Sequence, residues 1–344
     1  MSSLEPALRA PAATAAPARP RSAMARRNRH RLAILGVVVL LAIAAYLLVD
    51  VNFANERLLA FSMRVRLPKV AAILIAALAI GGASIVFQSV INNTIVTPCL
   101  LGMNSLYTLV HTALVFCVGS ASVVVSNANL AFAIDLVVMG VVATLVYGYL
   151  FRKTGHNVLY VLLIGTVLTS FFGSIQSTLV RVMDPNEYDT LLTSLVASFS
   201  NVNTEVILLS CVILAAVVIA LRRDLALLDV LTLGKEQAIN LGVDYDRSVR
   251  RLLLGVTLAI AVATAMVGPI SFLGLIVANL SRELLKTYRH SLLVAGSALF
   301  GMALLLVGQL IVEHVFTYAV PVSVFITVGG GAYFLFLLLF ARRV

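Results

Sequence analysis

Few residues in this sequence are of types that carry chemistry, and their spacing excludes most reactions. A phosphate-cradling loop needs Gly-x-x-x-x-Gly-Lys-Ser/Thr. Gly234-Lys235 lacks both the earlier glycine and the following hydroxyl, so no ATP is expected on this chain. The five histidines (30, 111, 156, 290 and 314) make no His-Glu-x-x-His and no close pair, which argues against a metal site. No serine stands in a Gly-x-Ser-x-Gly elbow. Cys99, Cys117 and Cys211 are an odd three in apolar stretches, where free cysteines act as small hydrophobes. The chain reads as no enzyme and as holding no cofactor.

What remains is a handful of placed charges and amides. His111 and Asp135 lie within apolar runs, where an ionisable group is costly. Each falls a few residues from the same end of its helix, so the two can pair; a structural hydrogen bond is favoured over a proton relay. Gln88, Asn93, Ser174, Gln176 and Ser177 are polar and uncharged near the run ends, and small polar residues in membranes commonly join helices. Arg64 and Arg66-Leu-Pro-Lys69 gather three cations where the second run opens, a cluster suited to an acidic partner. The segment Leu231-Thr-Leu-Gly-Lys-Glu-Gln-Ala-Ile-Asn-Leu-Gly-Val243 predicts a short helix from Glu236 to Leu241 with Gly242 as a left-handed stop. It would present Leu233, Ala238 and Leu241 as an apolar patch ringed by charges, a docking element.

These groups must be positioned by membrane helices. Of 344 residues, 61% are hydrophobic and 12% charged, with a mean hydropathy of +1.04. A water-soluble domain carries about a quarter charged residues, so a globular soluble protein is excluded. An all-α polytopic protein is expected, with ten apolar runs at 32–49, 70–91, 101–118, 130–150, 158–180, 205–221, 252–267, 271–286, 291–312 and 322–340. The run at 271–286 is interrupted by Ser281-Arg282-Glu283, and 191–199 is too short to cross. With the amino end inside, 20 of the 25 Lys and Arg fall on the cytoplasmic side, as the positive-inside rule requires. Both termini are then cytoplasmic in a plasma or inner membrane. The net charge of +10 follows that topology and does not indicate nucleic acid. Residues 1–31 predict a disordered basic tail, 32–344 the membrane domain, and 222–251 its longest cytoplasmic loop.

Several strings resemble the iron-siderophore and cobalamin ABC-importer permease family. They are Arg66-Leu-Pro-Lys-Val-Ala-Ala, Gly81-Gly-Ala-Ser, Asn93-Thr-Ile-Val-Thr-Pro-Cys-Leu-Leu-Gly102, the Leu-Gly-Lys-Glu-Gln-Ala loop, Gly268-Pro-Ile-Ser-Phe-Leu-Gly, and Gly330-Gly-Ala-Tyr-Phe334. They run in the family's order from about residue 60 to the end. The resemblance implies a type II importer permease of ten helices, paired with a second copy or a homologous permease. Two cytoplasmic ATPase subunits would carry ATP and Mg, and an extracytoplasmic binding protein would deliver the chelate. By the same resemblance, Gly234, Glu236, Ala238, Leu241 and Gly242 meet the ATPase. Arg64, Arg66 and Lys69 receive the binding protein, and Gln88, Asn93, Ile95 and Gln176 line the inner gate and pathway.

Departures include Asn93-Thr94 for the family's Asn-Pro, and Glu313 or His314 where an outer arginine is usual. Thr97-Pro-Cys-Leu-Leu-Gly-Met-Asn-Ser-Leu-Tyr107 is similar to the catecholate branch, petrobactin- and vibriobactin-like. The competing reading is an ion-coupled secondary transporter, for which Gly268-Pro269 offers a broken helix.

Overall fold

Apolar runs of this length can satisfy their backbone in lipid only as helices or closed barrels, and here they are helices. The computed structural model describes residues 21–51, 55–153, 158–199 and 203–340, and among them there is no strand. In chain order the helices are α1 (Arg21–Leu48), α2 (Glu56–Ile91), α3 (Met103–Val118), α4 (Val123–Ser126), α5 (Ala128–Lys153), α6 (Val158–Val182) and α7 (Pro185–Leu195). They continue as α8 (Thr204–Ala226), α9 (Leu228–Leu231), α10 (Lys235–Asn240), α11 (Tyr245–Val267), α12 (Leu273–Leu285), α13 (His290–His314) and α14 (Val322–Phe340). Seven, in α1, α2, α5, α6, α8, α11 and α13, are long and apolar enough to cross a membrane. The runs expected at 101–118, 271–286 and 322–340 give the shorter α3, α12 and α14, so ten is not reached by length and composition.

The core is built on α2 and α11, each with 72% of its apolar window buried. Small residues set the closest crossing. Ala77 and Gly81 of α2 face Gly301 and Ser297 of α13, and a methyl on Gly81 would stand 3.0 Å from the Ser297 carbonyl. Without a hydrophobic drive between helices in lipid, such backbone approach supplies the packing. Gly255 likewise receives Leu221 of α8, and Gly274 receives Ser84 of α2. By contrast α6 is peripheral, with only 11% of its window buried.

Four expected boundaries move. The tail proposed for 1–31 gives way to helix from Arg21, and residues 1–20 lie outside the described residues. The second run begins at Glu56, because Asn55 Oδ1 accepts from Arg57 N and Leu58 N and starts the helix there. At 1.5 Å per residue its 36 residues span about 54 Å. Arg66-Leu-Pro-Lys69 therefore lies inside α2 and does not open it; Pro68 is carried within the helix. The short element expected at 191–199 forms earlier, as α7, started by Asp184 as cap and Pro185 in the first turn. Finally, α8 and α11 extend into 222–251, which leaves only α9, α10 and their turns outside the long helices.

The Gly268-Pro269 break separates α11 from α12. Gly268 has φ +86°, and a Cβ there would lie 2.7 Å from Ala197 Cα. Ser198 N donates to Val267 O at 2.9 Å, so the strand-like stretch after α7 is seated on the break. Around the start of α3 the chain packs onto the same break: Cys99 Sγ, before the helix, lies 3.9 Å from Ile270 O, and Asn104 Nδ2, in its first turn, donates to Ser271 Oγ at 3.1 Å.

Candidate functional site

The segment between α8 and α11 is built of two short helices, α9 and α10, and their turns. Two glycines frame α10, Gly234 at φ +104° and Gly242 at φ +81°, both in the region glycine tolerates best. Val243 N donates to Ala238 O and Gly242 N to Ile239 O, which closes the helix. Lys235 Nζ pairs with Asp246 at 2.9 Å, fastening the start of α10 to α11. Ala238 is fully buried, packed in one core cluster with Leu228 and Leu231. Its expected place in the exposed patch is thus corrected: Ile239 joins Leu233 and Leu241, all three more than half exposed. Glu236 projects beside them, also exposed. An apolar triad ringed by charge, held on a glycine-framed helix, can take an external surface and transmit its motion through Ala238.

Close by, α2 ends in a braced loop. Asn92 takes φ +53°, and Gln88 Nε2, fully buried, donates to Thr94 O at 2.8 Å. Asn93 Oδ1 accepts from Ile95 N at 2.9 Å, and Asn279 Nδ2 of α12 reaches Thr94 O at 3.2 Å. The structure thus brings Gln88, Asn93 and Ile95 into one constellation. Gln176 does not join it; it sits half-buried on α6, with no bond to that loop among the described residues. On α6, Thr166, Ser170, Ser174 and Thr178 form a row of hydroxyls, each bonded to its own helix at 2.8–3.1 Å. All four are exposed, a polar, uncharged row beside the equally exposed Leu163, Val167 and Phe171.

At the opposite end the expected cation cluster divides. Lys69 is buried, its Nζ 3.1 Å from Glu313 Oε1 and 3.2 Å from Tyr318 Oη. Tyr46 Oη at 2.6 Å and Gln309 Nε2 at 3.0 Å donate to the same carboxylate oxygen. Arg66 Nη1 donates to the carbonyls of Tyr46, Leu47 and Val49, neutralising the end of α1. Lys69 therefore offers no free ammonium, and only Arg64 of the expected three stands exposed and without a partner among the described residues. His314 meets Asp50 at 3.3 Å. The reason is Glu313, noted in the sequence as a departure and not as a partner for Lys69.

His111 and Asp135 do pair, Nδ1 to Oδ2 at 2.7 Å, and both are buried. Sequence reasoning missed the third member, Ser194 of α7, whose Oγ lies 3.0 Å from His111 Nε2. The network therefore ties α3 and α5 to α7. It also missed Asp229, whose Oδ1 accepts from His290 N and lies 2.6 Å from His290 Nδ1, pinning α9 to the start of α13. The available signal was a lone acid in an otherwise apolar Leu225–Leu233 stretch. Cys99 is half-buried, its Sγ 3.9 Å from Ile270 O, and Cys117 and Cys211 stand apart from it as free thiols. Among the described residues no group of three His, Cys, Asp or Glu gathers to hold a metal ion.

Comparison with known proteins adds an independent line. The model of the FecCD transport family matches residues 32–340. Over 313 residues the chain is 40% identical to the petrobactin import system permease protein YclO of Bacillus subtilis (strain 168), covering 91% of this chain and 98% of that one. It is 31% identical over 280 residues to the petrobactin import system permease protein FatC of Bacillus anthracis, covering 80% and 78%. A solved structure described as an inward-facing conformation of a metal-chelate type ABC transporter superposes with a TM-score of 0.75 at 21% identity, covering 91% of this chain and 99% of that one. At that identity the likeness concerns the fold.

Proposed function

The chain belongs to the FecCD transport family, and from that premise we propose that it is the membrane-spanning permease subunit of an ATP-driven importer of ferric siderophores, with a petrobactin-type chelate as substrate. Two relatives named as petrobactin permeases support the substrate class. In this reading α3, α12 and α14 are short crossings, which brings the count to ten with both termini in the cytosol. Two cytoplasmic ATPase subunits grip α10, a second permease chain faces α6 and α14, and an extracytoplasmic binding protein docks at the Lys69 end. With Lys69 and Arg66 bonded internally, Arg64 and the exposed Arg57 two turns earlier are the docking cations. The loop 92–97 braced by Gln88 forms the inner gate. The hydroxyl row of α6 lines a path that binds weakly, so a bulky chelate can leave.

The observation that carries the reading is α10, with Leu233, Ile239 and Leu241 exposed around Glu236 on a helix rooted by Ala238. Its test is Glu236→Lys in the chain reconstituted with its ATPase subunits and binding protein. The variant inserts normally, hydrolysis continues, and chelate uptake falls at least tenfold. Uptake at the wild-type rate would remove α10 from the coupling path.

A further inference from the structure

Beside α10 a polar cavity of about 510 Å³ enters the end of the bundle. One wall is the loop at Asn92, Asn93 and Thr94; the other is Asp229, Thr232 and Leu233, which lead into α10. Arg282 forms the floor, half-buried, and its guanidinium meets only neutral groups: Nε donates to Gln88 Oε1 at 3.4 Å and Nη2 to Ser89 Oγ at 3.2 Å. Arg289 and Tyr288 stand exposed at the mouth. Among the described residues neither arginine has a carboxylate within 4 Å. The one acid in the lining, Asp229, is already bonded twice to His290.

A guanidinium withdrawn from water and met only by neutral acceptors is incompletely compensated. The group that compensates it best is a carboxylate, whose two oxygens match the planar fork of N–H donors. We infer that this cavity is a second docking site for the motor: an Asp or Glu side chain on the surface of the cytoplasmic ATPase subunit enters past Arg289 and reaches Arg282. There it touches the gate loop on one side and the root of α10 on the other, so that one contact links the motor to both. The inference rests on the proposed role of α10. An anionic lipid is the weaker occupant, because α1 packs on α12, where Arg31 donates to Leu284 O.

The test uses the full chain in lipid nanodiscs with its purified ATPase subunit, at 50 and 300 mM salt. Arg289→Glu weakens ATPase binding at least tenfold at low salt and under threefold at high salt, since screening weakens an accessible pair. Arg282→Gln weakens it three- to tenfold, Arg289→Lys stays within threefold, and Tyr288→Ala within twofold. Lysine substituted for one acidic residue on the ATPase restores binding to Arg289→Glu. Binding by Arg289→Glu within twofold of wild type at low salt overturns the inference, as does a loss equal at both salts. A loss that follows the anionic-lipid content of the disc overturns it too, and gives the cavity to a headgroup. If Glu236→Lys impairs binding while Arg289→Glu does not, only this inference fails; if the wild-type chain binds no ATPase, the transport reading fails with it.

Discussion

Replacing Glu313 by Gln isolates the charge in the outer network and keeps its shape. In the wild type, Tyr46, Lys69 and Gln309 all converge on Glu313 Oε1 at 2.6, 3.1 and 3.0 Å. The glutamine carbonyl still accepts from Tyr46 and Gln309, so the neutral hydrogen bonds survive. Lost is the counter-charge to an ammonium whose side chain is only 8% exposed. Breaking a buried pair from one side costs about 3–5 kcal/mol, because the remaining charge stays buried. At about 2 °C per kcal/mol for a chain of this size, the unfolding midpoint falls by roughly 6–10 °C. The double variant Lys69→Met with Glu313→Gln removes both charges, and replacing a buried pair with apolar groups is often neutral. It therefore recovers most of the loss. Thermal unfolding followed by size-exclusion fluorescence in one detergent reads both. Equal loss in the single and double variants would refute the argument, since it would place the defect in packing and not in an orphaned charge.

Three further changes probe the elements that hold α7. Gly268→Ala forces a side chain onto φ +86° and into Ala197, so it should lower the unfolding midpoint by more than a backbone-strain cost of about 1–3 kcal/mol alone; a neutral result in thermal unfolding would show that the break can relax. His111→Ala leaves the Asp135 carboxylate buried and unpaired and should cost about 3–5 kcal/mol. Ser194→Ala removes only a hydroxyl contact and should stay within about 1 kcal/mol; equal effects of the two in the same assay would contradict the ranking.

How much of this was legible in the sequence depends on whether a residue's partner lies nearby in the chain. Local chemistry was readable. Gly242 as a left-handed stop, a short helix before it, and the break at Gly268-Pro269 all follow from backbone preferences of one or two residues. The ends of α2 and α7 moved because caps outrank hydropathy: Asn55 and Asp184 begin helices in stretches too broken by charge and polar residues to hold a long apolar run. Ala238 was misassigned because a six-residue helix makes fewer than two turns, too short a pattern to reveal its inner face. Lys69 was misassigned for a different reason. Its partner stands 244 positions away, on a helix whose rotation about its axis is set by the Ala77, Gly81, Ser297 and Gly301 crossing and by nothing local.

That crossing also explains how the two ends of the bundle can be joined. α2 runs from the Lys69–Glu313 network to the Gln88 brace without interruption, and α13 runs beside it from Glu313 to the Asp229–His290 pin. Both helices are locked by backbone contact at small residues, so neither can bend independently between its ends. In the proposed role, a push at α9 and α10 would meet α13 through Asp229 and the loop 92–97 through the cavity wall, and would travel as a rigid shift. α6 lies outside that pair, packed against α3 with its outer face open to the second chain proposed above. Under the proposed function, alternation between two openings then needs no intramembrane titration: a stiff central pair gripped at one end by the motor would carry the movement.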